Sequence, residues 1–391
     1  MNKVEPIASL PAPRDGRVDV LFIAGEHSGD EHAARVIAEL RAKQPELRIA
    51  ALGGSEMATA GAQLLHDLTA TSVVGFVEVL KHYGFFKSLF EATLTWIAKH
   101  RPRAVCFVDY PGFNLRLAAK LRERGLSVKG GGATKLLFYI SPQIWAWKAK
   151  RRFTMARDLD ALAAIFPFEP ACYADTALPC EFVGHPFLMN DYVSPVRYEP
   201  DGPILLLPGS RVQAVSRIFP LLLGGFAEYL RENPTARAVA LYPSAEVAAV
   251  ARTELARWPQ LNDAVELREN SGTTPASAVL TSSGTMSLHC ALAGIPGAIV
   301  YRTNPLTYVL ARWWVKIEYI GIANLLLKAP MYPEFIQGAA NSRALAGQLR
   351  VCGTSERREE TRAQAARLRE LLHQSKVGTA ADWVLRQLEV R

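Results

Sequence analysis

Short apolar runs ended by glycine or proline alternate with amphipathic stretches along most of this chain. Asp19 to Gly25 is the first such run, apolar on both faces, and reads as a strand buried in a parallel sheet. A helix capped by Ser28 and reaching about Lys43 follows it. Ala104–Val108, Lys135–Ile140, Ala161–Phe166 and Cys180–Val183 repeat the strand signal, with helices predicted after Pro111-Gly112 and from Lys148. A polar stretch from Leu188 to Gly202, containing Pro195 and Pro200, interrupts the alternation and reads as a linker. It restarts with strands at Ile204–Leu207, Ala238–Leu241, Val265–Leu267, Ala278–Thr281 and Ala298–Tyr301. From about Ser355 the chain is charged and helical. Alternating strands and helices imply parallel βαβ units. The expected architecture is therefore α/β: two Rossmann-like domains, 18–190 and 200–354, facing across a cleft. A disordered leader, 1–17, precedes them and helices over 355–391 follow, with a return onto the first domain left open. Gly130-Gly131-Gly132 reads as a flexible surface loop.

Composition sharpens this only a little. With 391 residues, 49% of them hydrophobic and 21% charged, the chain can bury two cores, and wholesale disorder is excluded. No apolar run approaches the ~18 residues of a spanning helix, and the first residues lack a signal-peptide h-region, so a cytoplasmic location is expected. The net charge of +8 suits anionic partners: phosphorylated small molecules, nucleic acid or an anionic membrane face. No nucleic-acid module accompanies the basic residues. Five scattered cysteines without a CxxC pair argue against disulfides and a zinc ribbon.

Ligands of doubly wound sheets bind beyond the carboxyl ends of the strands, so the loops there carry the candidate chemistry. Gly25-Glu26-His27-Ser28-Gly29-Asp30 follows the first strand. It is not GxGxxG, and without HExxH-type spacing it reads as a solvated helix start rather than a metal site. Asp158-Leu159-Asp160 is literally DxD but sits just before a buried strand, where a helix-end turn explains it. Asp109 stands at the end of a central strand before Tyr110-Pro111-Gly112-Phe113-Asn114; spacing alone leaves it open between general base and helix N-cap. In the second half, Pro208-Gly209-Ser210-Arg211 and Ser283-Gly284-Thr285 each open a helix after a strand. Together they favour a nucleotide phosphate site. Val73 to Phe90 mixes aromatic and aliphatic residues with lysines and is open between a core helix and an acyl-chain or membrane surface. Trp145 and Trp147, before Lys148, Lys150, Arg151 and Arg152, repeat the theme.

These motifs, in this order, resemble the lipid-A-disaccharide synthases, glycosyltransferases of the GT-B fold. The matching segments include Ala24 to Asp30, Val74 to Leu80, Asp109 to Asn114, Ser141-Pro142-Gln143-Ile144-Trp145-Ala146-Trp147, Phe166 to Glu169, Gly184-His185-Pro186, Pro208 to Arg211, Asn324-Leu325-Leu326 and Pro333 to Gln337. The resemblance implies inverting transfer from a UDP-diacylglucosamine donor to a diacylglucosamine 1-phosphate acceptor, with no cofactor and no metal. It implies Asp109 as the base and Ser210, Arg211, Ser283, Gly284, Thr285, His289, Asn324 and Gln337 around the donor. Gly25, Glu26, Ser28, Gly29 and Asp30 would form a cleft loop. Val74, Phe76, Val77, Leu80, Phe85 and Phe86 would meet acyl chains and an anionic membrane surface, placing the enzyme peripherally on the inner membrane without nucleic acid. Oligomeric state is left open, a homodimer being one expectation. His289 stands where the family usually carries a ribose-binding Glu, and imidazole cannot take two hydroxyls as a carboxylate does. Another GT-B UDP-sugar enzyme, such as a 2-epimerase or a peptidoglycan-type transferase, and a non-catalytic lipid-binding relative are the alternatives.

Overall fold

The computed structural model describes residues 7–69, 83–189, 192–304, 318–373, 375 and 377–389. The chain divides into two compact units, Met1–Pro186 with Gln374–Arg391, and Phe187–His373.

The first unit holds strands β1 (Val20–Ala24), β2 (Ile49–Gly53), β3 (Gln63–Asp67), β4 (Ala104–Val108), β5 (Lys135–Tyr139), β6 (Ala161–Ala164) and β7 (Cys180–Phe182). They form one parallel sheet in the order β3-β2-β1-β4-β5-β6-β7. Helices α1 (His27–Lys43), α2 (Ser55–Thr59), α3 (Tyr83–His100), α4 (Pro111–Glu123) and α5 (Arg151–Asp158) connect them. β1, β2 and β4 are buried at every residue, which explains their unbroken apolar sequences.

The second unit holds β8 (Val196–Tyr198), β9 (Ile204–Leu207), β10 (Ala238–Tyr242), β11 (Val265–Glu269), β12 (Thr274–Ala276), β13 (Ala278–Thr281), β14 (Gly297–Tyr301) and β15 (Glu334–Ile336). Its parallel sheet runs β11-β10-β9-β13-β14-β15, and β8 pairs with β12 apart from it. The helices are α6 (Val212–Glu232), α7 (Ala245–Leu255), α8 (Thr285–Leu292), α9 (Ile322–Leu327), α10 (Ser342–Cys352) and α11 (Ser355–His373). Each sheet is covered by its own hydrophobic core.

Several expectations need correction. The supposed linker contains β8, and the units divide at residues 186 and 187. The charged tail is split: α11 belongs to the second unit, and the last helix, α12 (Ala380–Glu389), to the first. Residues 7–17 are held in place rather than disordered. Trp96 Nε1 donates to the Pro11 carbonyl at 2.7 Å, and the Gln63 amide bonds Arg14 N and Ala12 O. Ile7 and Leu10 pack on the core. The glycine triplet closes a tight turn, Gly130 N and Gly132 N both donating to Ser127 O at 2.8 Å. The edge strands β3 and β15 carry no strand signal because they are short and mostly half-buried, and β2, an internal strand, is a run of only five apolar residues, three of them small.

α12 completes the first unit. Its Trp383 is fully buried, and Lys43 pairs with Asp382. Arg103 and Lys135 donate to the carbonyls of Leu388 and Gln387, both at 2.7 Å, supplying cations where the helix exposes unpaired acceptors. Trp383→Ala should therefore lower the unfolding free energy of the first unit by about 3–5 kcal/mol. Urea unfolding would show it as an earlier transition for that unit; an unchanged midpoint would mean that α12 is dispensable.

Candidate active site

In each large sheet the chain winds outward from one central strand, then restarts on that strand's other side. The reversals fall between β1 and β4 and between β9 and β13. Loops leaving adjacent strands at such a point diverge, and ligands of this sheet type bind there.

Asp109 leaves β4 at the first reversal. Its φ is +45° and that of Tyr110 +49°, a consecutive left-handed pair that costs about 1–3 kcal/mol per residue. Asn114, fully buried on α4, holds the turn: its Nδ2 donates to the carbonyls of Asp109 (2.8 Å) and Ile23 (3.3 Å). The Tyr110 ring lies across Gly25, where a Cβ would stand 2.3 Å from it; only glycine allows that approach. The N-cap of α4 is Tyr110, with no side-chain cap, so the capping role read as one option for Asp109 is not the one it fills. Its carboxyl is pushed up to about 6, chiefly by burial, with the charge of Glu26 adding and the Tyr110 N–H opposing. Such a carboxylate is ionised at neutral pH yet basic enough to accept a hydroxyl proton in a transition state.

A second carboxyl, Glu169, is almost completely buried. It accepts the N–H groups of Ile165 (3.2 Å) and Phe166 (3.0 Å), and burial pushes it up to about 8, with the charge of Asp109 contributing. It therefore keeps its proton where Asp109 has lost its own. Of the first loop, Gly25 and Gly29 are buried, while Glu26 and Ser28 are exposed. Glu26, not Ser28, is the N-cap of α1. Asp30 is not a loop ligand. Its carboxylate accepts N–H bonds from Gly54 (2.8 Å), Glu56 (3.1 Å) and Met57 (3.3 Å) and so caps α2. Asp158 ends α5 between Arg122 and Arg157, as the helix-end reading of DxD requires. Among the described residues no group of three His, Cys, Asp or Glu side chains could hold a metal.

The second reversal gathers the other loops. Ser282 N donates to Leu207 O at 2.8 Å, so the Pro208–Arg211 and Ser282–Thr285 loops start side by side. Gly209 has φ +116°, and a Cβ there would stand 3.4 Å from Ser282 Oγ. Arg211 is the N-cap of α6 and Gly284 of α8, neither with a side-chain cap bond. Two helix N-termini thus end at neighbouring strands with Ser210, Arg211, Gly284 and Thr285 exposed and Ser283 half-buried. Unpaired N–H groups, helix dipoles and a guanidinium form an anion cradle.

Three residues expected at the donor are engaged otherwise. The Asn324 amide, fully buried, donates to Tyr332 O (2.7 Å) and Glu334 Oε1 (2.9 Å) and accepts from Tyr332 N (2.8 Å). Gln337 bonds both sides of the Thr303 backbone, at 2.9 and 3.1 Å. His289 is buried, stacked on Phe187 with ring centroids 3.9 Å apart, and it meets Tyr192 Oη at 3.1 Å. All three hold the frame of the second unit rather than presenting free polar groups. Phe85 packs in the core at 4% exposure, and Phe86 lies half-buried against it, so Phe85 is withdrawn from any acyl-chain surface. Val74, Phe76, Val77 and Leu80 lie outside the described residues.

The model of the lipid-A-disaccharide synthetase family matches residues 20–387. The chain belongs to this family. The lipid-A-disaccharide synthase of Nitrosococcus oceani is 31% identical over 95% of this chain and 96% of its own length. That of Geobacter metallireducens is 33% identical over 90% and 92%. Lipid-A-disaccharide synthase 1 of Legionella pneumophila strain Paris is 35% identical over 82% and 84%. Among solved structures, the putative UDP-N-acetylglucosamine 2-epimerase of Listeria monocytogenes superposes with TM-score 0.62 at 12% identity, covering 95% of this chain and 96% of that one. The calicheamicin glycosyltransferase CalG4 superposes with TM-score 0.56 at 15% identity, covering 95% and 98%. These two establish the GT-B fold; the family places the chain among glycosyltransferases that build the lipid A disaccharide.

For a lipid-A-disaccharide synthetase, Asn114 and Glu169 close two of the matched segments, Asp109 to Asn114 and Phe166 to Glu169, yet motif reading gave neither a role. Sequence marks their presence but not their burial or their partners. A carboxyl held above its unfolded value binds its proton more strongly when folded. Its contribution is therefore fully favourable below pH ~4 and is lost as pH rises toward about 6, at a cost of about 3 kcal/mol above that. Asp109→Asn should raise stability by about 1–3 kcal/mol at pH 8 and leave it unchanged at pH 4. Denaturant titrations at the two values test this; an equal effect at both would mean that the Asp109 carboxyl is not desolvated.

Proposed function

We propose that the chain joins UDP-2,3-diacylglucosamine to 2,3-diacylglucosamine 1-phosphate, giving the β-1,6-linked disaccharide 1-phosphate and UDP. Asp109 takes the proton of the acceptor 6-hydroxyl as that oxygen attacks the anomeric carbon of the donor. The bond from that carbon to the diphosphate oxygen breaks, its electron pair leaves with UDP, and a single displacement inverts the centre. Ser210 and Arg211 with Ser283, Gly284 and Thr285 hold the departing diphosphate, whose growing charge meets the α6 and α8 N-termini and the guanidinium. On this reading the first unit handles the proton and the second the leaving group, with neither metal nor cofactor. The observation that carries the assignment is the Asp109 carboxyl, raised to about 6 on a strained turn where the first sheet reverses. Diacylated substrates and a net charge of +8 favour a peripheral position on an anionic membrane face, on its cytoplasmic side.

Turnover is followed as UDP release and disaccharide formation in detergent micelles with EDTA present. Asp109→Asn should lower kcat by roughly 10²–10⁴ with little change in donor KM. In the wild type kcat/KM should fall as pH drops below about 6, where the base becomes protonated. An Asn variant as fast as wild type removes the base assignment, and loss of all turnover with EDTA removes metal independence. Arg211→Ala should weaken donor binding or turnover by roughly 10–100-fold, the scale of a hydrogen bond to a charged group. An unchanged kcat/KM would place the diphosphate elsewhere.

A further inference from the structure

The five exposed large hydrophobic side chains among the described residues include two aromatics, and both lie within one corner of the first unit. Trp147 is 52% exposed in the loop after β5, and Phe153 is 48% exposed on α5. Cations surround them. Lys148 Nζ stands 4.4 Å from the centre of the Trp147 ring, Arg151 lies 5.7 Å from it, and Arg152 lies 4.2 Å from the Phe153 ring. Arg152 is neutralised by Asp175 in a bidentate pair. Lys148, Lys150 and Arg151 form no ion pair with a described carboxylate, so the corner keeps a positive surplus.

The surface extends further along α5. Phe153 and Ala156 are three residues apart and so share a helix face. Lys129 Nζ donates to the Ala156 carbonyl at 3.5 Å, which brings the turn of residues 128–130 alongside. That turn adds exposed Val128 and one more cation. The corner thus offers apolar side chains ringed by lysine and arginine. A ring whose polar edge is solvated and whose body is apolar suits the headgroup level of a bilayer, and ammonium groups beside it suit anionic headgroups.

We propose that this corner, Trp147 and Phe153 with Lys148, Lys150 and Arg151, docks the enzyme on an anionic lipid bilayer. The proposal rests on the reading that the substrates are membrane-borne, and it is carried by residues other than those the family resemblance gives to the membrane. The loop carrying Trp147 begins beside the proposed base. Asp109 N donates to Tyr139 O at 3.0 Å, and Tyr139 is the last residue of β5. A bilayer met at this corner lies next to the strand ends that would receive an acylated acceptor.

The test uses the full chain in flotation with vesicles of phosphatidylglycerol and phosphatidylethanolamine, and with phosphatidylcholine vesicles. Wild type should float with the anionic vesicles and weaken with added salt. K148Q/K150Q should partition roughly 30-fold more weakly, the scale of two lost cations near a charged surface. W147A/F153A should lose at least roughly ten-fold. Both variants should keep far-UV circular dichroism and micellar turnover near wild type, since the substituted side chains are exposed. Vesicle binding equal to wild type in both variants would overturn the proposal. So would tight binding to single-stranded oligonucleotide in place of vesicles, which would make the patch a nucleic-acid surface. Failure of the proposed reaction is separately visible as absent micellar turnover in the wild type, whatever the vesicles show.

Discussion

A parallel sheet delivers every strand's chain to the same edge. That constraint orders most of what is chemically interesting in this protein. Adjacent strands in a parallel sheet run in one direction, so each helix that follows begins at the edge where the strands end. At the two reversals of strand order, adjacent loops diverge and leave helix starts and strand-end side chains uncovered. Asp109, the Tyr110 ring over Gly25, and the uncapped starts of α6 and α8 all occupy those reversals. Left-handed backbone is found at Asp109 and Tyr110 at the first reversal, and also at Ile140 after β5 and Gln337 after β15. For a β-branched residue such as Ile140 that conformation is a true outlier. Strain of this kind persists only where the surrounding structure overdetermines it.

What overdetermines it is a set of buried polar straps. Asn114 ties the turn at Asp109 to the end of β1. Asp30 ties α1 to the start of α2. Glu334 accepts from Ile320 N and Gly321 N and from the Asn324 amide, so one carboxylate fixes the entry to α9. Gln337 ties the end of β15 to the segment after β14. Each group is buried or half-buried and bonded more than once, so removing it would leave unsatisfied partners behind. In sequence these side chains look like ligands, because a polar residue set among apolar ones is the signature of both roles. Geometry separates them: a strap has spent its hydrogen bonds several times over inside the fold, whereas the Asp109 carboxylate meets the Tyr110 N–H of its own turn and Arg211 is exposed.

This distinction also marks what could be read from the chain before folding. The fully buried strands were legible, since β1, β4 and β9 are short unbroken apolar runs followed by glycine, aspartate and proline. The half-buried edge strands β3 and β15 were not, because three to five mixed residues carry no period. The reversals themselves followed from the loops: two chemically rich loops in each half were already the loops that topology later sets side by side. The internal bonds of Asp30, Asn324, Gln337 and His289 were not legible, because residue type reports hydrogen-bonding capacity, not where that capacity is used. The leader failed for a related reason. Its anchoring depends on Trp96 and Gln63, residues that no local pattern links to position 11 or 12.

The position of Asp109 is a compromise between stability and chemistry. A base must be poorly solvated to be strong, and the same desolvation costs about 3 kcal/mol once the carboxyl ionises. That is a large share of the ~5–15 kcal/mol by which a domain is usually stable. The first unit can absorb it because β1 and β4 lie at the middle of a seven-stranded sheet with every residue buried. The return of α12 adds Trp383 and two cation-to-carbonyl bonds to the same body. Glu169 fits the same logic from the other side: a carboxyl buried within electrostatic reach of Asp109 is tolerable only while it stays protonated, and burial keeps it so at neutral pH. Were both ionised, their repulsion would raise Asp109 further, cost more stability and leave less of it ionised at neutral pH. One charged and one neutral carboxyl is therefore the arrangement that would serve the base proposed above at the least cost to the fold.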